Sequence, residues 1–393
     1  MRLLHTSDWH IGRTFHGHDL LGDQRWVLSE LAGIVRAEGV DVVLVSGDLY
    51  DRSVPSGEAV QTCVDVLEEI RRAGAELVVT PGNHDSPQRI GAFSGFAAAG
   101  GLHLHTRVST LHEPTVLSDE HGPVVFYGLP YLEPDPARQV LRSSAAPGAA
   151  PDLVERGHPA VLGEAMNRVR AELRARGPRP RSVVLAHAFV TGGGSSDSER
   201  DISVGGVDQV PAEVFEGVDY VALGHLHGCQ RITERIRYSG SPMAYSFSER
   251  RQRKSAWLVD LDAGGLSGTR RIELPVPREL AALEGTLEQL LHAPEYEYAT
   301  DHYVSATVTD EVRPMDGMRR LQQRFPHAVH MAWEPAEGGA RAPLRYSEAV
   351  RGRDERQLLR DFVSNCRGRE PSDSEGELLD RALTEVNLAE VRR

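Results

Sequence analysis

Cysteine, lysine and long apolar runs are what this sequence has least of. Its three cysteines, Cys63, Cys229 and Cys366, stand far apart in 393 residues and form no CxxC pair. That excludes a disulfide framework and a thiolate zinc site, and it fits three unrelated thiols in a reducing compartment. No stretch approaches the roughly 18 apolar residues of a membrane helix. The opening Met1-Arg2-Leu3-Leu4 runs directly into a strand pattern rather than a signal peptide, so a cytoplasmic protein is expected. There is no GxxxxGK[ST] loop, so the chain is expected to bind no nucleotide of its own, and there is no internal repeat. Positive charge is also short. Lys254 is the single lysine, and 44 basic against 57 acidic residues give a net charge of −13. Proteins that hold a nucleic-acid duplex unaided are usually basic, so such a substrate here would imply a partner supplying positive surface. Part of the acidic excess is carboxylate that bound divalent cations would neutralise.

The length exceeds one ordinary domain of roughly 100–200 residues and predicts two or three units. The first half repeats a short β-branched run, a sharp polar turn and a helical pattern. The runs are Leu3–Thr6, Val42–Ser46, Leu77–Thr80, Val124–Gly128, Ser182–Ala186 and Tyr220–Leu223, with helices predicted at Gln24–Ala37, Glu58–Ala73 and Gly163–Ala175. Several runs are apolar without alternation, as in strands covered on both faces, which predicts a layered α/β domain. Strands follow at Ile236–Tyr238 and Ala256–Asp260. Ser143–Asp152 reads as a surface loop, and Val190–Pro211 as a polar insertion directly after His187. Beyond Pro277 the predicted order is a helix at Leu280–Leu291, a strand at Tyr303–Thr309, a helix at Met315–Arg324 and a strand at Ala328–Trp333. Glu334–Pro343 reads as a linker. Two amphipathic segments close the chain, Ser347–Cys366 with Leu358, Leu359, Phe362 and Val363, and Ser374–Val391 with Leu378, Leu379, Leu383 and Val386. Neither carries enough apolar surface to fold alone.

The chemistry gathers at the carboxyl ends of the predicted strands. Asp8-Trp-His10 follows the first, Gly47-Asp48-Leu-Tyr-Asp51-Arg52 the second and Gly82-Asn83-His84-Asp85 the third; His187 ends a later one, and Gly224-His225-Leu-His227 follows another. In an α/β sheet these ends share the edge where ligands bind. Carboxylates, imidazoles and an amide oxygen without sulfur suit hard-to-borderline divalent cations. Asp48 is the natural bridge, because one carboxylate can give an oxygen to each of two ions. Such a pair, about 3.5–4 Å apart, can hold a phosphodiester and activate water. The glycines at 47, 82 and 224 suit backbone bent tightly beneath a ligand. Trp9 reads as a packing residue. His5, His16, His18, His103, His105, His112 and His121 match no motif and read as structural or exposed. Arg250–Lys254 is the best basic patch, or else a solvated loop.

This ordered set resembles the calcineurin-like metallophosphoesterase superfamily. Within it, the whole chain is similar to bacterial nucleases that work with an SbcC-like ABC-type ATPase. That similarity takes in the insertion after His187, Tyr238-Ser-Gly-Ser-Pro242, Tyr245-Ser-Phe-Ser-Glu249 and the stretch from Pro277 to Leu287. The resemblance implies an α/β fold, a β-sandwich flanked by helices over 1–275, with a small α+β capping domain over 276–345 and a helical tail over 346–393 that docks on the ATPase. It implies one metal held by Asp8, His10, Asp48 and His227, and another by Asp48, Asn83, His187 and His225, with Mn²⁺ expected and Mg²⁺ the alternative. His84 matches the family's catalytic histidine, which contacts phosphate and assists the leaving oxygen. Asp51 is expected to orient His84, and Arg52 either touches phosphate or is a surface arginine. The implied activity is exonuclease and endonuclease cleavage of DNA ends and hairpins in repair and recombination, by a homodimer within a heterotetramer. A phosphatase or small-molecule phosphodiesterase shares the metal set but needs neither cap nor tail, and a non-catalytic scaffold would show broken metal motifs.

Overall fold

The computed structural model describes residues 1–144, 156–177, 180–199, 209–335, 354–367 and 370–391. The predicted loop from 145 to 152 and most of the predicted linker, 336–343, lie outside the described residues, as do 200–208 of the insertion and 347–353 of the first amphipathic segment. The chain divides into two compact units, Met1–Pro277 and Arg278–Arg393.

The first unit is a sandwich of two mixed sheets. The strands of one are β1 (Arg2–Thr6), β2 (Val42–Ser46), β3 (Glu76–Thr80) and β4 (Leu102–Leu104), all mutually parallel. The other contains β5 (Thr115–Asp119), β6 (Gly122–Leu129), β7 (Arg181–His187), β8 (Tyr220–Gly224), β9 (Gln230–Arg231) and β10 (Ile236–Tyr238), in the order β9-β10-β8-β7-β6-β5. Two antiparallel strands, β11 (Ser255–Asp262) and β12 (Gly265–Glu273), return to the first sheet beside β1, giving the order β12-β11-β1-β2-β3-β4. Between the sheets Leu3, Val42, Leu44 and Val78 meet Val124, Phe126, Val183, Leu185, Tyr220 and Ala222, all buried. Each large apolar side chain among them contributes about 1.5–3 kcal/mol by leaving water. The far face of the second sheet, with Val125, Tyr127 and Val184, is covered by α3 (His158–Ala175) through Val161, Leu162, Ala165 and Val169. α1 (Leu21–Glu38) and α2 (Gly57–Arg72) pack on each other, and α2 on β3. Burial on both faces accounts for the uninterrupted apolar runs in the sequence.

Register carries this fold to the site. Leu4 lies opposite Val43 and Leu44 opposite Val78; Thr6 pairs with Val45 and Ser46 with Thr80, so β1, β2 and β3 end within one residue of one another. In the other sheet His187 pairs with Gly224, which sets His187 beside the turn carrying His225.

The second unit has a parallel sheet of β13 (Leu280–Gly285), β14 (Tyr303–Val308) and β15 (Ala328–Trp333), with α4 (Leu287–His292) and α5 (Gly317–Arg324). The sequence predicts one helix over Leu280–Leu291, and this is corrected. Leu280–Gly285 is a strand that buries Ala281 and Leu283 in alternation, and the helix begins only after Thr286, which with Gln289 forms a capping box. Leucine, alanine and glutamate favour helix intrinsically, but parallel pairing with β14 outweighs that preference. At the C-terminus α6 (Glu355–Arg367) and α7 (Asp373–Val391) contact each other, and Arg360 pairs with Asp380 at 3.1 Å. Among the described residues no helix is long and apolar enough to cross a membrane.

Candidate metal centre

The loops after β1, β2 and β8 hold their residues in an unusual backbone conformation. Six described non-glycine residues have positive φ, and four of them are Asp8 (53°), His10 (46°), Asp48 (53°) and His225 (104°). Each such residue costs on the order of 1–3 kcal/mol and persists only where its surroundings enforce it. Here the first two loops lace together: Asp8 N–H donates to the Gly47 carbonyl at 3.0 Å, His10 N–H to that of Asp48 at 3.0 Å and Ile11 N–H to that of Leu49 at 2.9 Å. Gly47 has φ +91°, and a Cβ there would lie 2.1 Å from His187 Nδ1. A Cβ on Gly82 would lie 2.2 Å from an Asp48 carboxylate oxygen. Both glycines leave room for the side chains above them.

These side chains converge. Asp8, His10 and His227 can each offer an atom within 4.8 Å of the others, as can Asp8, Asp48 and His187, and His10, Asp48 and His84. His187 donates from Nδ1 to the Ser46 carbonyl at 3.0 Å, which turns Nε2 towards Asn83 Oδ1 at 2.8 Å and an Asp48 oxygen at 3.4 Å. The His225 ring lies 5.3 Å from that of His187, and its main-chain N–H donates to Asp8 at 3.0 Å. His10 and His227 face each other Nε2 to Nε2 at 3.1 Å. Thus Asp8, His10, Asp48, Asn83, His187, His225 and His227 lie at one edge of the sandwich, and all but Asn83 are buried.

The electrostatics call for cations. Burial raises the Asp8 carboxyl to about 6. Burial works against protonated His187, yet the Asp48 and Asp8 carboxylates prevail and raise it to about 9. Burial also opposes the charge on Asp48, and the imidazoles around it, His187 foremost, hold its pKa well below the usual range. Burial lowers His225 to about 3 and drives His10 down as well. Protonated His187 answers Asp48 and Asp8, while His10 and His225 are held neutral with ring lone pairs open to a metal. Buried His10 Nδ1 and Asn83 Nδ2 also find no hydrogen-bond partner. The donor set, two carboxylates, four imidazoles and an amide oxygen, fits two divalent metal ions.

His84 is half-buried at the rim of this cluster. Its N–H donates to Asp48 at 2.9 Å and its Nδ1–H to the main-chain carbonyl of Asp51 at 2.8 Å, which leaves Nε2 free. Asp51 is the residue expected from the sequence to orient His84, and the contact runs through its main chain. The carboxylate points elsewhere, 3.7 Å from His10 Nδ1 and 3.6 Å from Arg13. Arg52 is 77% exposed and touches Asp51 at 3.7 Å. Trp9 is fully buried, donating to Thr6 Oγ1 at 3.0 Å.

Several supporting residues escape sequence reasoning. Asp85 is buried and accepts from the N–H groups of Gly82, Leu49 and Tyr50 at 2.9, 3.1 and 3.0 Å, tying the third loop to the second. Burial and the nearby Asp48 raise it to about 7. Its place in Gly82-Asn83-His84-Asp85 was the available signal. Gln24 on α1 reaches the His10 carbonyl at 2.7 Å, and Tyr245 donates to that of Trp9 at 2.5 Å. In the Arg250–Lys254 cluster, Arg250, Arg251 and Arg253 are exposed, but Lys254 is buried against Glu249 and belongs to the interior.

Residues 1–229 match the model of the calcineurin-like phosphoesterases, and residues 276–366 match one described as the type 5 capsule protein repressor C-terminal domain. The chain is similar to the D subunit of the nuclease SbcCD from Staphylococcus epidermidis, 26% identical over 370 residues, covering 93% of each chain. It is similar to the protein of the same name from Staphylococcus saprophyticus, 26% identical over 387 residues and 98% of each chain. Among solved structures, TT1561 of Thermus thermophilus shares 17% identity at a TM-score of 0.39, covering 69% of this chain and 98% of that one, a likeness too loose to bear on activity.

Proposed function

The chain belongs to the calcineurin-like phosphoesterase family, and from that premise we propose that it is a metal-dependent nuclease that hydrolyses DNA phosphodiesters at ends and hairpins. The observation that carries this reading is the convergence of buried carboxylates and imidazoles from distant loops on one edge of the sandwich. Two divalent ions, with Mn²⁺ expected and Mg²⁺ the alternative, would supply the charge that activates water and neutralises the phosphate. Asp8, His10, Asp48 and His227 would hold one ion, and Asp48, Asn83, His187 and His225 the other. His84 keeps Nδ1 on the Asp51 carbonyl and so presents Nε2 to the phosphate, where an imidazole can hand a proton to the departing sugar oxygen. The side chain of Asp51 acts on His10 and Arg13 rather than on His84.

Similarity along nearly the whole length of proteins named as subunits of SbcCD supports a partnership with an SbcC-like ABC-type ATPase in DNA repair and recombination. That partner would bring the P-loop motif absent from this sequence and the positive surface that its charge of −13 withholds. Within the complex we assign the segment 276–345 to DNA selection and 346–393 to docking on the ATPase, with two copies of this chain in a cytoplasmic heterotetramer. Half-exposed Leu358, Leu359, Leu379 and Leu383 on the C-terminal helices, with Phe362 and Leu378 65% and 60% exposed, support the docking assignment.

The test is cleavage of hairpin and blunt-ended DNA, with Mn²⁺ or Mg²⁺, by the chain alone and with the ATPase, beside hydrolysis of a nitrophenyl phosphodiester. Cleavage of DNA supports the nuclease. Turnover of the ester alone, with DNA untouched in every combination, supports a phosphatase or small-molecule phosphodiesterase instead. His84→Ala is expected to lower cleavage ~10²–10⁴-fold while both ions stay bound.

A further inference from the structure

One end of the proposed site is held by residues that are not themselves ligands. His227 is held by non-ligand residues at its main-chain N–H, its carbonyl and its ring Nδ1. Its main-chain N–H donates to the Glu199 carboxylate at 2.7 Å, and its carbonyl accepts from Lys254 Nζ at 2.9 Å and from Ser241 N–H at 3.1 Å. Its ring Nδ1 lies 2.6 Å from Ser198 Oγ. Ser198 in turn donates to Glu249 Oε1, and Glu249 is paired with Lys254. Ser198, Glu249 and Lys254 are all buried, at 8%, 0% and 4% exposure.

The direction of these bonds follows from valence. The Glu249 carboxylate, facing an ammonium, only accepts, so the single hydroxyl proton of Ser198 goes to it. The Ser198 oxygen is then an acceptor towards His227, and the ring proton must sit on Nδ1. Nε2 is left with a bare lone pair, directed at the point shared with His10 and Asp8. A ligating imidazole needs this tautomer and a fixed ring plane.

We propose that Ser198, with Glu249 and Lys254 behind it, is a positioning relay that fixes the tautomer and orientation of His227 for metal binding. The inference rests on the reading of His227 as a metal ligand. Ser198 stands in the insertion that follows His187, so a loop leaving one proposed metal position serves a ligand of the other. Arg13 holds that loop through the Ser198 carbonyl at 2.9 Å, and Ser248 holds it through the Asp197 N–H at 3.0 Å.

The experiment is calorimetric titration of the full-length, metal-stripped protein with Mn²⁺ for wild type, Ser198→Ala and Ser198→Thr. Wild type should take up two ions. Ser198→Ala should weaken one of them ~10–100-fold and leave the other unchanged. Ser198→Thr, which keeps the hydroxyl, should restore affinity to within a few-fold of wild type. Unchanged binding in Ser198→Ala, equal weakening of both ions or failure of the threonine to rescue would overturn the relay while leaving the two-metal site standing. A wild type that does not bind two ions would instead overturn the metal-site reading itself, and the relay with it.

Discussion

His5 sits in β1 with both ring nitrogens used, Nδ1 accepting from the Tyr220 hydroxyl at 2.9 Å and Nε2–H donating to the Leu223 carbonyl at 3.1 Å. Burial lowers its pKa to about 3, so it stays neutral in the fold, whereas in the unfolded chain it takes a proton below about 6.5. Stability is therefore fully present above pH 6.5 and falls as the pH drops towards 3, by up to about 1.4 kcal/mol per pH unit for this one group. Urea unfolding of metal-stripped protein between pH 7 and 5 should show a shallower loss in His5→Leu than in wild type, and parallel slopes would contradict the assignment. Gly47→Ala should cost about 1–3 kcal/mol from its φ of +91° alone, before the contact with His187 is counted. A thermal melt within a degree of wild type would show that the loop yields instead. At this scale the sequence discloses residue types and order but not contacts. Asp8, His10 and Asp48 were legible because each sits where an apolar run stops. The main-chain route from residue 51 to His84 was not, since a carbonyl is common to every residue. Lys254 was misread for a related reason: its arginine-rich neighbours are exposed, and only the turn carrying Glu249 takes it into the interior.

Elements were legible where burial imposes an unbroken apolar run. Val42–Ser46, Ile236–Tyr238 and Ala328–Trp333 fall where the residue pattern places them. The pattern fails at Leu280–Gly285, where small and helix-favouring residues are recruited into a parallel strand by neighbours about twenty residues away or more. Local propensity carries no information about such pairing. The amides of β13 should be protected from hydrogen exchange together with those of Tyr303–Val308, and Leu283→Ala should cost about 2–5 kcal/mol and release both. Exchange of 280–285 independent of β14 would contradict the pairing. The C-terminal helices make a different case, because their amphipathic pattern was visible but its purpose depends on what covers it. Phe362→Glu with Leu378→Glu, both at exposed positions, should leave the melt unchanged and abolish co-purification with the ATPase. Retention of the partner would refute docking through these faces.

The whole molecule joins an acidic chain to a proposed nucleic-acid substrate. Two divalent ions would offset four negative charges, which would leave the chain acidic still and place the remaining attraction for DNA on the proposed partner. The edge of the first unit is where these demands meet. Its strained loops, its close-fitting glycines and its cluster of buried carboxylates and neutral imidazoles are what a pair of bound cations would explain. The most direct measurement is anomalous diffraction from crystals of the protein grown with Mn²⁺. Two peaks about 3.5–4 Å apart are expected, bridged by Asp48 and ringed by Asp8, His10, Asn83, His187, His225 and His227. A single peak, or two that leave Asp48 untouched, would contradict the two-metal site.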